Sequence, residues 1–177
     1  MIQIKNFNLL ISTPRYNEIE AKSELWFTLL MCGDTYPIIS GIHFPGLITA
    51  FTNLDIKKVI SKIKKILQKN PEYFQFILKI VPINFICETD VKIIKYLIDK
   101  NYKNFIKKKD TFRITLKRRH HESIERSNFI DSIAKNIKND VNLDNPDKII
   151  RIEILGNICG ISFLKKNDII KNKRINL

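Results

Sequence analysis

The stretch YPIISGIHFPGLITAFTNLDIKKVISKIKKILQKNP, Tyr36 to Pro71, carries three periodicities in a row. Tyr36–Phe44 is apolar and β-branched, which predicts a strand. Pro45-Gly46 is a turn signal, and Leu47–Thr52 is the return strand of a hairpin. Asp55 then stands where a helix cap belongs. Ile56, Val59, Ile60, Ile63, Ile66 and Leu67 recur at three- and four-residue spacing on one face of that helix. Lys57, Lys58, Lys62, Lys64, Lys65 and Lys69 fill the other face, and Pro71 closes the segment.

Upstream, Asn8–Thr13 reads as a short buried strand ending at Pro14. A helix follows from an Asn17 cap to about Cys32, with Gly33 as its stop. Ile19, Leu25, Trp26, Leu29 and Leu30 supply its apolar side. The order is strand, helix, strand, strand, helix. One more strand completes the split β-α-β arrangement called ferredoxin-like. Downstream, Tyr73–Cys87 is long, apolar and interrupted by Pro82. It is two strand pieces or one kinked strand, because proline cannot donate to a ladder. Thr89 or Asp90 caps a helix with Ile94, Leu97, Ile98, Phe105 and Ile106 inward. Thr111–Arg119 alternates, with Phe112, Ile114 and Leu116 opposite Arg113, Thr115 and Lys117. That is a half-buried strand with a basic outer face. Ser127 caps a helix bearing Phe129, Ile130, Ile133, Ala134 and Ile137. Val141–Asp147 is a loop, Ile149–Ile154 and Ile158–Leu164 are strands, and the tail from Asn167 is a last short strand or frays. The fold class is therefore α/β (α+β), built of two units. A ferredoxin-like domain over 1–72 precedes a second α/β domain over 73–177.

The 177 residues hold 31 Lys+Arg against 18 Asp+Glu, a net charge of +13. Residues 1–71 carry nine basic and five acidic residues, so most of the excess lies beyond Pro71. Such an imbalance attracts polyanions, nucleic acid first and an anionic membrane surface second. No run of 18 apolar residues exists to span a membrane. The start, Met1–Asn6, lacks a secretory signal's apolar stretch. Cys32, Cys87 and Cys159 are few, odd in number and set among apolar neighbours, as buried thiols of a reducing compartment would be. A cytoplasmic location is expected.

Catalytic signatures are sparse. Gly33, Gly41, Gly46, Gly156 and Gly160 build no phosphate-cradling loop, so no nucleotide or coenzyme cofactor is expected. His43 stands apart from other metal ligands. His120 and His121 are adjacent and face opposite ways on a strand, so no metal is expected either. Ser162 lacks a nucleophile-elbow context. The alternative to binding alone is a catalytic subunit whose site has no familiar motif.

Basic chemistry is concentrated. Lys107-Lys108-Lys109 is followed by Lys117-Arg118-Arg119-His120-His121, with Arg126 nearby. The chain has 24 Lys and only seven Arg, yet three of the Arg fall between 118 and 126. Guanidinium binds phosphate by two parallel hydrogen bonds, which ammonium cannot do. Arg126 directly before a helix start adds unpaired N–H groups and a favourable dipole. The competing reading is a solvated loop balanced by Glu122 and Glu125. Lys165, Lys166, Lys171, Lys173 and Arg174 form a second, less specific cluster.

From Thr111 onward the sequence resembles the THUMP domain of the tRNA-acetylation adaptor family. The stretches that carry the resemblance are TFRITLKRRH, IERSNFIDSIAKNI, VNLDNPDKIIRIEILGNICGIS and FLKKNDIIKNKR. The matching features are a basic strand end (Lys117–Arg119), an Arg before a helix (Arg126) and a V-x-L-x-N-P loop (Val141–Pro146). An I-x-I-E strand with Ile152 and Glu153 and a small-residue turn at Cys159–Ser162 complete the pattern. ILKIVPIN, residues 77–84, is similar to the region that opens such domains. The resemblance implies binding to the tRNA acceptor region and 3′ end. It also implies a separate RNA cytidine acetyltransferase as the enzyme served, and no DNA or membrane partner. The residues expected to contact RNA, from the basic clusters and the matching loop together, are Lys117, Arg118, Arg119, His120, Arg126, Asn145, Lys165 and Lys166. A detached RNA-binding subunit of a split tRNA methyltransferase or thiouridine synthetase is the alternative.

Overall fold

A computed structural model of the protein describes residues 6–119 and 125–172. Contacts within the chain divide it into two compact units, Asn6–Pro82 with the segment from Asn167, and Ile83–Lys166.

The first unit runs β1 (Leu9–Ser12), α1 (Glu18–Met31), β2 (Ile38–Gly41), β3 (Leu47–Phe51), α2 (Ile56–Lys69) and β4 (Lys79–Pro82). Its sheet has the order β2-β3-β1-β4, all antiparallel, which is the ferredoxin-like arrangement expected from the element order. Leu9, Ile11, Ile48, Ala50 and Ile80 from the sheet pack with Ala21, Leu25 and Leu29 of α1 and with Val59, Ile60 and Ile63 of α2. Asp55 caps α2 by accepting from the Lys58 amide at 2.9 Å. Lys62, on the lysine face of α2, donates from Nζ to the Cys32 carbonyl at 2.7 Å. It thereby neutralises a carbonyl at the end of α1, where the helix has no basic residue of its own. Three amides, those of Gln75, Phe76 and Ile77, donate to the Glu24 carboxylate at 2.6–3.1 Å. That fixes the chain between α2 and β4.

Three expectations for this unit need correction. Asn17 makes no side-chain cap bond; α1 instead begins beneath Thr13, whose hydroxyl lies 3.3 Å from the Asn17 carbonyl. Ile19 and Trp26 face solvent, while Ala21 and Thr28 take the inner face of α1. Thr28 can be buried because its hydroxyl donates to the Glu24 carbonyl at 2.7 Å. The first hairpin strand covers only Ile38–Gly41, since Gly46 takes up a φ of +78° and ends the turn. Gly46 also donates its amide to Glu18 Oε1 at 2.6 Å, and that bond holds the Glu18 carboxyl below its ordinary pKa. A Cβ at position 46 would lie 2.9 Å from the Thr13 carbonyl oxygen. Gly46→Ala is therefore expected to cost about 1–3 kcal/mol, from the positive φ and the backbone clash together. Urea unfolding checks this through a lower midpoint at unchanged slope.

The boundary falls at Pro82/Ile83 and not at 72/73, because Tyr73–Cys87 is two strands that join different sheets. β4 pairs with β1, and β5 (Phe85–Glu88) pairs with β8 (Ile158–Leu164) of the second unit. Pro82 closes β4 where the chain leaves the first sheet. The tail does not fray at Asn167. β9 (Ile170–Lys171) returns to the first unit beside β4, and Asn172 Nδ2 donates to the Phe74 carbonyl at 2.8 Å.

The second unit comprises β5, α3 (Val91–Phe105), β6 (Phe112–Arg119), α4 (Arg126–Ala134), β7 (Lys148–Leu155) and β8. Its sheet order is β5-β8-β7-β6, with only β6 and β7 parallel among these pairs. A parallel neighbour needs a crossover, and α4 supplies it. Ile94, Ile98 and Tyr102 of α3 and Phe129 and Ile133 of α4 cover one face, against Phe112, Leu116, Ile150, Ile152, Ile154, Cys159 and Ile161. Asp90 is the cap of α3, accepting from the Lys92 and Ile93 amides at 2.7 and 3.0 Å. Phe105 and Phe163 stack with ring centres 4.6 Å apart, and Phe85 meets both edge-on. All three cysteines are buried thiols; Cys87 and Cys159 are register partners across β5 and β8.

Candidate nucleic-acid interface

β6 is an edge strand of the second sheet, and its sequence alternates as expected. Phe112, Ile114 and Leu116 enter the core, so Arg118 shares their face, while Arg113, Thr115, Lys117 and Arg119 take the other. The last three residues, Lys117, Arg118 and Arg119, are exposed. The strand therefore delivers one guanidinium toward the helix side and an ammonium and a guanidinium to the opposite side. Lys117 and Arg119 are separated by two strand steps, roughly 6.6 Å. Among the described residues, no carboxylate forms an ion pair with Lys117, Arg119 or Arg126.

The start of α4 differs from the expected cap. Glu125, not Ser127, is the capping residue. Its two carboxylate oxygens accept from the Ser127 and Asn128 amides at 3.0 and 2.7 Å. Those bonds, the Asn128 amide first, hold the Glu125 carboxyl below its ordinary value of 4.5, with a smaller contribution from the nearby Arg118 guanidinium. The amides that would have received a phosphate are thus already occupied by an anion. Arg126 is the first helical residue and is exposed. The cations exposed here are side-chain groups, with the helix terminus already satisfied. The sign of the linkage follows from the depressed pKa. The cap's stabilising contribution is present above the ordinary carboxyl range and is lost as pH falls through the lowered value. In an NMR titration the Ser127 and Asn128 amide resonances are expected to move together below pH 4.5. In Glu125→Gln that joint step should disappear.

The structure does not gather all the expected residues at one place. β6 spans eight residues, so its ends are roughly 23 Å apart. Lys117, Arg118, Arg119 and Arg126 lie at its far end. Asn145, Lys165 and Lys166 lie at its near end, because the Asp147 carboxylate binds the Thr111 amide and Leu164 is the register partner of Ile149. Lys107–Lys109, adjacent to the first group in sequence, belong to this near end, since they immediately precede Thr111. His120 lies outside the described residues. The near end is built around the 141–147 loop. Asn142 Oδ1 accepts from the Asp144 and Asn145 amides at 3.2 and 2.9 Å, leaving the Asn145 side chain exposed. Arg113 Nη1 donates to the Leu143 carbonyl at 2.8 Å. Asp147 is held below its ordinary pKa by the amide and hydroxyl of Thr111.

One pair escaped the sequence reading. Arg151 and Glu153, both buried, form an ion pair on β7, with Nε donating to Oε1 at 2.6 Å. Glu153 is the register partner of Lys117. Its charge is met by Arg151 within the strand. Opposite charges two residues apart in a strand share a face, and that spacing was the available signal. Among the described residues, no cluster of three or more His, Cys, Asp or Glu could hold a metal ion, and no helix is long and apolar enough to cross a membrane.

Comparison with known proteins fits this geometry. Residues 88–164, nearly all of the second unit, match the family model of the THUMP domain. No curated protein matches the chain. Among solved structures, PH1313 from Pyrococcus horikoshii is similar, with a TM-score of 0.68 at 20% identity over 95% of this chain and 56% of that one. TrmN from Thermus thermophilus has a TM-score of 0.56 at 9% identity, over 88% of this chain and 44% of that one. A 4-thiouridine synthetase solved with RNA and bound ATP has a TM-score of 0.55 at 15% identity, over 94% and 42% respectively. The chain spans about half the length of these structures. At such identities the likeness is one of fold, and it extends over both units.

Proposed function

We propose that this chain is a tRNA-binding adaptor. In this reading it holds the acceptor region and 3′ end of tRNA and presents the molecule to a separate RNA cytidine acetyltransferase, which forms N4-acetylcytidine. It is itself non-catalytic, binds no cofactor and works in the cytoplasm. The observation that carries the binding part is the exposed Lys117–Arg119 strand end beside Arg126, within the unit that matches the THUMP domain. A-form RNA is recognised by backbone and shape, for which clustered cations on a rigid strand are suited. A domain that fixes one end of tRNA sets which distant base meets a bound enzyme, and raises the effective concentration of that base.

The second reading, an RNA-binding subunit of a split tRNA methyltransferase or thiouridine synthetase, is favoured by one observation. A 4-thiouridine synthetase is among the similar structures, and the chain covers 42% of it. Mass spectrometry of tRNA nucleosides from a strain lacking this protein separates the two. Loss of N4-acetylcytidine alone is expected. Intact N4-acetylcytidine with loss of 4-thiouridine or of a methylated nucleoside would replace the first reading with the second. In reconstitution, the acetyltransferase is expected to modify tRNA faster with the protein added, and acetylation by the protein alone would refute the adaptor role.

A further inference from the structure

Two of the chain's three cysteines face each other. Cys87 on β5 and Cys159 on β8 are register partners in an antiparallel pair, and both are free thiols. Residues directly opposite in such a pair share a face of the sheet, here the face that clusters with Ile94 and Ile98 of α3. Their Cα atoms lie about 4.5–5.5 Å apart, within the roughly 4.4–6.8 Å that a disulfide spans. Cβ atoms across such a pair are about 4.5–5.5 Å apart, against about 3.5–4.5 Å in a disulfide. Closing the bond therefore draws the strands together by about 1 Å. β5 is the outermost strand of its sheet among the described residues, held on one side only, so it can make that shift.

The two thiols are not equivalent. Cys87 reaches the surface at 7% exposure, and Cys159 is fully buried at 0%. The Cys159 thiol donates a hydrogen bond to the Cys87 sulfur. That bond holds Cys87 below its ordinary value of 9.0, against the opposing effects of burial and of the Asp90 and Glu88 carboxylates. The same bond, together with burial, pushes Cys159 up. The thiolate is the reactive form of cysteine, so Cys87 is the nucleophile and Cys159 the thiol that follows it. Cys32 supplies the contrast within the chain. It is buried at the end of α1 in the first unit, and burial raises its thiol.

We propose that Cys87 and Cys159 are a reversible redox pair, closing to a disulfide when hydrogen peroxide reaches Cys87. The Cys87 sulfur attacks one peroxide oxygen and the O–O bond breaks. The sulfur becomes a sulfenic acid, and the departing hydroxide takes up the Cys87 proton and leaves as water. The Cys159 sulfur then attacks the Cys87 sulfur. The S–O bond breaks, and that hydroxide leaves as water with the Cys159 proton. Two thiols have lost two electrons, and one peroxide has become two waters. The new bond ties the edge strand to its neighbour and encloses α3, β6, α4 and β7 in one covalent loop. A disulfide that must draw its strands together is strained, and strained disulfides are the easily reduced, regulatory kind. Transient pairs of this sort are the ones that operate in reducing compartments.

Peptide mass spectrometry of the whole native protein tests this, after brief exposure to hydrogen peroxide, quenching, and alkylation in denaturant. The expected product is one linked peptide pair carrying Cys87 and Cys159, lighter by two hydrogen atoms than the reduced pair, with Cys32 alkylated as before. Dithiothreitol should restore all three thiols in the folded protein. Cys32→Ser should form the same link. In Cys159→Ser, oxidation should stop at a Cys87 sulfenic acid that dimedone traps, with circular dichroism checking the fold. Because the link is mapped in the unaltered chain, the result does not depend on how well either variant folds. Three alkylated thiols after peroxide would overturn the proposal. So would Cys32 oxidising as fast as the pair, a link between two copies of the chain, or a Cys87–Cys159 bond that dithiothreitol cannot open without unfolding.

Discussion

Replacing Lys117, Arg119 and Arg126 together by Glu is expected to weaken tRNA binding on the order of 100-fold, the loss of a few charge-assisted hydrogen bonds that do not add fully. The three side chains are exposed and pair with no carboxylate among the described residues. Their removal should leave the unfolding midpoint almost unchanged. Arg118 is left in place because it faces the α4 side and lies near Glu125. The matched control is Lys57, Lys58 and Lys65 to Glu on the lysine face of α2, which changes net charge equally. Its effect should be several-fold at most, through the general field of the molecule. Equal losses in the two variants would mean that binding follows net charge and that the end of β6 is not the contact.

Salt should reveal the same contact by a different route. If about five phosphates are neutralised, log affinity falls with log salt at a slope near −4, so raising salt from about 50 to about 200 mM weakens binding roughly 250-fold. The triple variant should show a slope flatter by about 2, because three cations no longer release counterions. A variant that loses affinity but keeps the wild-type slope would have lost its fold or its shape complementarity, and not its phosphate contacts.

Where the chain's own periodicity decides the outcome, the structure follows the sequence closely. α2 has one apolar and one lysine face, and β6 alternates core and cation. Asp55 and Asp90 cap the helices they precede. Where tertiary context decides, the sequence is ambiguous. Tyr73–Cys87 is uniformly apolar because each half is buried in a different sheet, and apolarity carries no label for which one. α1 defeats a single-face reading because Ile19, Trp26 and Phe27 are as apolar as the residues that reach the core. Its real inner face includes Thr28, whose hydroxyl is satisfied within the helix. Glu125 outcompeted Ser127 as a cap because its longer carboxylate reaches two amides at once.

The candidate site was legible as chemistry and less so as geometry. Arg118, Arg119 and Arg126 stand out in a lysine-rich chain. Adjacent residues on a strand point to opposite faces, however, so Arg118 separates from Lys117 and Arg119. Lys107–Lys109 and Lys117–Arg119 are neighbours in sequence but lie at opposite ends of β6, and Lys165 and Lys166 join the former through the β7–β8 register. A charge cluster read along the chain is therefore two patches in space.

In the proposed function the basic end of β6 grips one end of tRNA. Hydroxyl-radical footprinting of tRNA with the whole protein tests it most directly. Protection is expected on the backbone of the acceptor stem and 3′ end, absent with the Lys117, Arg119 and Arg126 triple variant and retained with the α2 control. Protection spread evenly over the molecule, or an acceptor-end footprint that survives the triple substitution, would rule out this grip.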